Sequence, residues 1–169
     1  MKRPILVLIA ACLISSGIAT ASPAPANFAG TWVLDKSKSQ GMQGPMANAE
    51  SITLIVTQDS KKLSTETKIM NGGQEMPRRS MTYDLDGNET TAEVGGRMPG
   101  KATLKAKWLA DGKKLELSQK RIMNNQGNEV TVTSTETWEL ADNGKTLRVH
   151  RVSESPRGTQ DATLVYTKQ

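Results

Sequence analysis

KATLKAKWLADGKKLELSQKR (residues 101–121) and TVTSTETWELADNGKTLRVHR (residues 131–151) are two copies of one unit. Each copy opens with a stretch that alternates polar and apolar residues. A tryptophan follows, then Leu-Ala-Asp, then a Gly-Lys turn, then a return segment led by leucine. Trp108 matches Trp138, Leu115 matches Leu147, and Leu117 corresponds to Val149. Period-two alternation on both sides of a short polar turn is the signature of a β-hairpin. Two hairpins in tandem with short returns predict an up-and-down meander rather than a Greek key.

The same alternation extends outward from this repeat. Downstream, Asp161–Thr167 puts Ala162, Leu164 and Tyr166 on one face. Upstream, Phe28, Gly30, Trp32 and Leu34 share a face, and a polar loop follows over residues 36–48, with room for a short turn of helix. Ile52, Leu54 and Val56 mark a second strand, and Leu63, Thr65, Thr67 and Ile69 a third. Asn71-Gly72-Gly73 breaks the third strand. Met81, Tyr83 and Leu85 mark a fourth. Asp86-Gly87-Asn88 reads as a type I′ hairpin turn into a fifth strand at residues 90–94, which ends at Gly95-Gly96. The total is nine or ten strands with no helical period of useful length. An open sheet of that size would expose its edges, whereas a barrel has none. The fold class expected is all-β: a single antiparallel up-and-down β-barrel of about 8–10 strands.

The first residues obey a different rule. Lys2 and Arg3 precede an apolar run from Ile5 to Ile14, and Ala19-Thr20-Ala21 has the small-x-small pattern of a signal-peptidase site. The expected organisation is a signal peptide over 1–21, a Pro/Ala linker over 22–26 and the barrel domain over 27–169, in an exported chain, periplasmic or secreted. Ile9-Ala10-Ala11-Cys12 also resembles a lipobox, which leaves a lipoprotein as a minor alternative. The run is shorter than the roughly 20 apolar residues of a membrane span, and no transmembrane segment is expected in the mature chain. Cys12, the single cysteine, lies in the leader, so the mature domain has neither disulfide nor thiolate chemistry. Lys2 and Arg3 also contribute two of the formal charges that make up the net +5. The remaining excess is spread along the chain and is not interleaved with aromatics, so no nucleic-acid partner is expected.

Residues 27–35, Asn-Phe-Ala-Gly-Thr-Trp-Val-Leu-Asp, with Lys36 and Ser37 behind them, resemble the opening of lipocalin-like secreted bacterial proteins, which are short and largely uncharacterised. The Trp-Leu and Asp-Gly-Lys hairpins at 108–117 and 138–149 resemble their later part. Gly30-x-Trp32 is similar to the Gly-x-Trp motif of true lipocalins. The resemblance implies a lipocalin-like barrel in which Trp32 closes one end beneath an arginine from a late strand, Arg148 or Arg151. The second lipocalin motif is missing from this chain, and no helix follows the last strand.

The candidate ligand-binding residues follow from parity: Trp32, Leu34, Leu54, Tyr83, Leu104, Trp108, Leu117, Glu136, Trp138 and Arg151. The tryptophans share faces with aliphatic residues, which fits either a ligand wall or plain core. Along residues 102–108, Ala102 and Ala106 alternate with Leu104 and Trp108, which either fits a taper or leaves space. Ser134 and Glu136 fall on the Trp138 face. An inward Glu136 needs a partner, because a lone buried charge is costly. Arg151 and Arg121 both have the right parity.

Catalytic chemistry is not indicated. His150, the only histidine, has outward parity, and no nucleophile motif or carboxylate pair accompanies it. Met42, Met46, Met70, Met76, Met81, Met98 and Met123 offer soft thioethers that could hold Cu(I) or give adaptable apolar surface at a barrel mouth. No metal site and no cofactor are expected. The favoured partner is a small apolar or amphipathic molecule. The alternative is a non-catalytic envelope protein with a packed core that interacts through its surface.

Overall fold

The computed structural model describes residues 24–95, 99–125 and 127–169. The expected leader, with its cleavage site and Cys12, lies outside the described residues, as do Gly96 and Met98.

Alternating apolar residues build β1 (Gly30–Leu34), β2 (Ser51–Gln58), β3 (Lys62–Asn71), β4 (Gln74–Glu75), β5 (Arg79–Asp84) and β6 (Thr90–Val94). The second half supplies β7 (Gly100–Leu109), β8 (Lys114–Asn125), β9 (Asn128–Ala141), β10 (Thr146–Ser155) and β11 (Gly158–Lys168). A four-residue helix, α1 (Pro45–Asn48), lies in the loop between β1 and β2. All eleven strands form one antiparallel sheet in the order β4-β3-β2-β1-β11-β10-β9-β8-β7-β6, with β5 also on β3. The fold is an up-and-down, lipocalin-like β-barrel. Met70 pairs with Glu75, but Thr67 pairs with Arg79, so one extra residue is accommodated around Pro77. This bulge divides what is otherwise a single return strand into β4 and β5. Counted as one, they bring the sheet to ten strands.

The first and last strands meet within the sheet, where β1 pairs with β11. The seam lies mid-chain instead. The Asp86-Gly87-Asn88 segment does not make the expected hairpin: β5 pairs with β3, β6 with β7, and among the described residues no backbone ladder joins β5 to β6. A type I′ turn needs positive φ at two successive residues, and here only Gly87 has it, at 83°. The Asp84 carboxylate instead accepts from the Asp86 N–H at 2.9 Å, and the strands diverge. Thr90 Oγ1 donates to the Thr82 carbonyl at 2.9 Å across the gap, so the rolled sheet meets itself through side chains.

One end of the barrel is plugged by the chain entering it. The Ala26 N–H donates to Gly112 O at 2.8 Å, and Gln58 Nε2 donates to Ala26 O at 2.9 Å. This strap presses Phe28, fully buried, between Trp108, stacked at 6.2 Å between ring centroids, and Trp138, T-shaped at 5.7 Å. Trp32 is also fully buried, and its Nε1 donates to Phe28 O at 2.9 Å. Neither arginine proposed to cover Trp32 does so. Arg148 points to solvent and Arg151 turns into the barrel. Lys168, the register partner of Trp32, places its Nζ 5.1 Å from the ring centroid. Gly30 makes that possible, since a Cβ there would sit 2.7 Å from Lys168 Cε.

At the opposite end, the β1–β2 loop folds over the rim. Gly41, at φ 72°, lies against the Asp161 carbonyl with no room for a side chain. Ala49 is buried, and Lys36 Nζ donates to its carbonyl at 2.7 Å.

If the aromatic plug anchors the fold, Phe28→Ala lowers the unfolding free energy by about 3–5 kcal/mol, as large aromatic truncations in cores do. Ile122→Ala, on the outer wall at 38% exposure, changes it by less than about 0.5 kcal/mol. Urea denaturation of both variants checks the contrast.

Candidate functional site

The inner wall changes character along the strands. Near the plug it is aliphatic: Leu115 and Leu117 on β8, Leu147 and Val149 on β10, Leu63 on β3. Towards the α1 rim the same inward positions become polar: Gln119 and Arg121 on β8, Arg151 and Ser153 on β10, Thr65 and Thr67 on β3. On β9, Trp138 gives way to Glu136 and Ser134. A cavity of about 160 Å³ lies where the two kinds of wall meet. Leu54, Leu117, Trp138 and Val149 line its apolar side, and Arg79, Arg121 and Arg151 its polar side.

Glu136 organises the polar side. Glu136 and Arg151 are register partners on β9 and β10. Glu136 Oε1 accepts from Arg151 Nε and Nη2, both at 2.6 Å. Oε2 accepts from Trp138 Nε1 at 2.8 Å. Arg151 Nη1 reaches Met46 Sδ of α1 at 3.2 Å, tying the rim helix to the pair. The Glu136 carboxylate raises the pKa of Arg151 against the effect of burial. One register step towards the rim, Ser153 Oγ donates to Ser134 Oγ at 3.1 Å.

Arg121 is differently placed. Its register partner on β9 is Val132, four residues from Glu136, so it does not join the ion pair. Its Nε is buried with no hydrogen-bond partner among the described residues. Burial pulls its pKa down, and the nearby Arg79 and Arg151 guanidiniums pull it further.

Of the residues picked from the sequence, Leu54, Tyr83, Leu117, Glu136, Trp138 and Arg151 meet at the cavity. Trp32, Leu34, Leu104 and Trp108 do not border it; they belong to the packed core. The repeat explains why the two matched tryptophans part company. The second hairpin is longer, so Leu140 pairs with Leu147 where Trp108 pairs with Leu115. Trp138 pairs with Val149, one inward pair farther from its turn, and reaches the cavity. Sequence reasoning missed Thr65, Thr67, Arg79, Gln119, Ser153 and Tyr166 as lining residues. Their inward parity was visible, but a polar side chain on the inner face was not by itself a signal. Met46 and Met81 also border the cavity. His150 is exposed and meets Asp161 Oδ1 at 2.9 Å on the outer surface.

No family model and no curated protein sequence matches the chain. Among solved structures it is similar to zebrafish ileal bile acid-binding protein complexed with cholic acid, with a TM-score of 0.53 and 13% identity. The match covers 84% of this chain and 98% of that one. At that identity the likeness concerns fold, and it agrees with the barrel described above.

Two measurements check the site. Glu136→Leu leaves Arg151 without its counter-charge and costs about 1–3 kcal/mol, below the figure for fully buried pairs because both groups keep some exposure. Adding Arg151→Met to that variant restores part or all of the loss in denaturant titrations. The second measurement concerns the chain's two tyrosines, Tyr83 and Tyr166, which both line the cavity. Burial pushes both phenols above the ordinary tyrosine range. Phenolate absorbance of the native protein therefore stays flat a full unit beyond the ordinary value of about 10, while the denatured chain titrates there. Since the folded pKa is the raised one, this contribution to stability is intact below pH about 10 and is lost as pH rises further.

Proposed function

We propose that the chain is an exported, lipocalin-like binding module for a small amphipathic molecule held inside the barrel. The observation that carries this reading is the cavity itself. It has an aliphatic and tryptophan-lined side facing a hydrogen-bonding, charged side, within a fold whose interior can otherwise pack solid. Similarity of fold to a bile acid-binding protein supports it. Export rests on the leader pattern at 1–21, and kinship with lipocalin-like secreted proteins rests on the Phe28–Asp35 opening.

The size of the space narrows the earlier expectation. Sites that enclose drug-sized ligands have roughly 300–1,000 Å³. A cavity of about 150 Å³ takes a benzene-sized molecule. The present cavity of about 160 Å³ therefore suits a compact occupant.

Two of the three tryptophan indoles give a spatially resolved assay. Trp138 Nε1 lies at the cavity, bonded to Glu136, whereas Trp32 Nε1 is bonded to Phe28 O at the plug. Small aromatic and short-chain amphiphiles should shift the Trp138 indole NMR resonance saturably and leave that of Trp32 in place. Native mass spectrometry of protein purified from its own host should show a retained small molecule. An unmoved Trp138 signal across carboxylic acids, alcohols and aromatics would overturn the binding reading.

A further inference from the structure

The cavity wall carries three guanidiniums, Arg79, Arg121 and Arg151, against one carboxylate, Glu136. Glu136 is already committed: one oxygen accepts twice from Arg151 and the other from Trp138. Its charge is thus compensated where it sits and is not shared with Arg121. Arg121 remains charged at any pH the protein meets, because guanidinium does not lose its proton in proteins. A half-buried cation with a buried unpartnered Nε, facing two further cations, is unfavourable on its own. An anion in the cavity would remove that penalty.

We propose that the occupant is a small amphipathic monoanion, a carboxylate or sulfonate on a compact apolar body, with its anionic group on Arg121 and its apolar part against Trp138. This rests on the reading of the cavity as a ligand site and adds the ligand's charge, size and orientation. Orientation follows from the wall. Trp138, Leu54, Leu117 and Val149 lie on the plug side, and Arg121 and Arg79 towards the rim. Arg79 is exposed at that rim and adds positive potential at the entrance. Size follows from the volume, which fits one six-membered ring or a short alkyl chain. Cations are repelled by the guanidiniums, and neutral molecules leave the charge of Arg121 without a counter-charge.

The test uses the mature protein and four single-ring probes of similar size: benzoate, benzenesulfonate, benzamide and benzylamine. Each is titrated against the Trp138 indole resonance, with Trp32 as the fold control. The two anions should bind at least about tenfold more tightly than benzamide, as expected for a charge-assisted hydrogen bond, and benzylamine most weakly. Arg121→Gln should bring benzoate down to the benzamide level, and Arg121→Lys should keep part of the anion preference. Equal affinity for benzoate and benzamide overturns the anion inference and leaves the ligand cavity standing. A preference that survives Arg121→Gln, with the Trp32 signal unmoved, overturns the role of Arg121. Silence from all four probes, and from hexanol and hexanoate as well, overturns this inference together with the function proposed above.

Discussion

A carboxylate on the inner wall of a β-barrel cannot stand alone, and Glu136 sets the terms for what surrounds it. Its two oxygens take three donors, from Arg151 and from Trp138. That arrangement works only if β9 and β10 hold the register that places Arg151 opposite Glu136. A one-residue slip of β10 against β9 would turn Arg151, Leu147 and Val149 to the outer face and leave Glu136 alone inside, so the ion pair and the apolar alternation enforce the same register. The pair also reaches beyond the sheet. Arg151 holds Met46 of the rim helix, and Glu136 orients the one tryptophan that borders the cavity. A saturated Glu136 then leaves Arg121 without a counter-charge.

The plug end works by a different kind of interaction. There the contacts are aromatic: Phe28 fills the space between Trp108 and Trp138 and caps Trp32 through its carbonyl, and the one charge placed on the aromatic cluster, Lys168, lies over the Trp32 ring. The strap over residues 26–28 is held by Gln58 and Gly112, on opposite halves of the chain. Closing the barrel here, and joining β1 to β11, leaves the unpaired seam between β5 and β6. The strands flanking that seam are joined by side chains, so the ladder is interrupted where the turn chemistry of Asp84 and Gly87 separates them.

Most of the fold was legible because period two is a strong signal when one face is buried, and the repeated hairpin fixed the meander. What could not be read came from register and turn geometry. Trp108 and Trp138 match by sequence, yet the second copy carries two extra residues, Glu139 and Asn143, so a turn of equal length starts two residues farther from Trp138 and leaves it at a different depth. Pairing Leu140 with Leu147 from the start would have selected Arg151 over Arg121 as the partner of Glu136. Asp86-Gly87-Asn88 has the composition of a hairpin turn, but composition does not require two positive φ angles. The cover of Trp32 was missed for a similar reason. Lys168 stands directly opposite Trp32, yet it follows the last apolar residue, where parity carries little weight.

The site itself was half legible. Apolar residues on an inner face are expected whether the barrel is hollow or solid, so Trp32, Leu34, Leu104 and Trp108 could not be separated from Leu54, Leu117 and Trp138 by pattern. The discriminating residues are polar ones at inward positions, because each must find a partner or face a space that holds one. Thr65, Thr67, Gln119, Arg121, Ser134 and Ser153 all occupy such positions on the rim half of the barrel. Some satisfy one another, as Ser134 and Ser153 do. Arg121 does not, and it lies opposite the apolar wall that a ligand body would use. In a barrel of this kind, the inward polar residue that lacks a partner bears more on the proposed ligand than the tryptophan beside the cavity does.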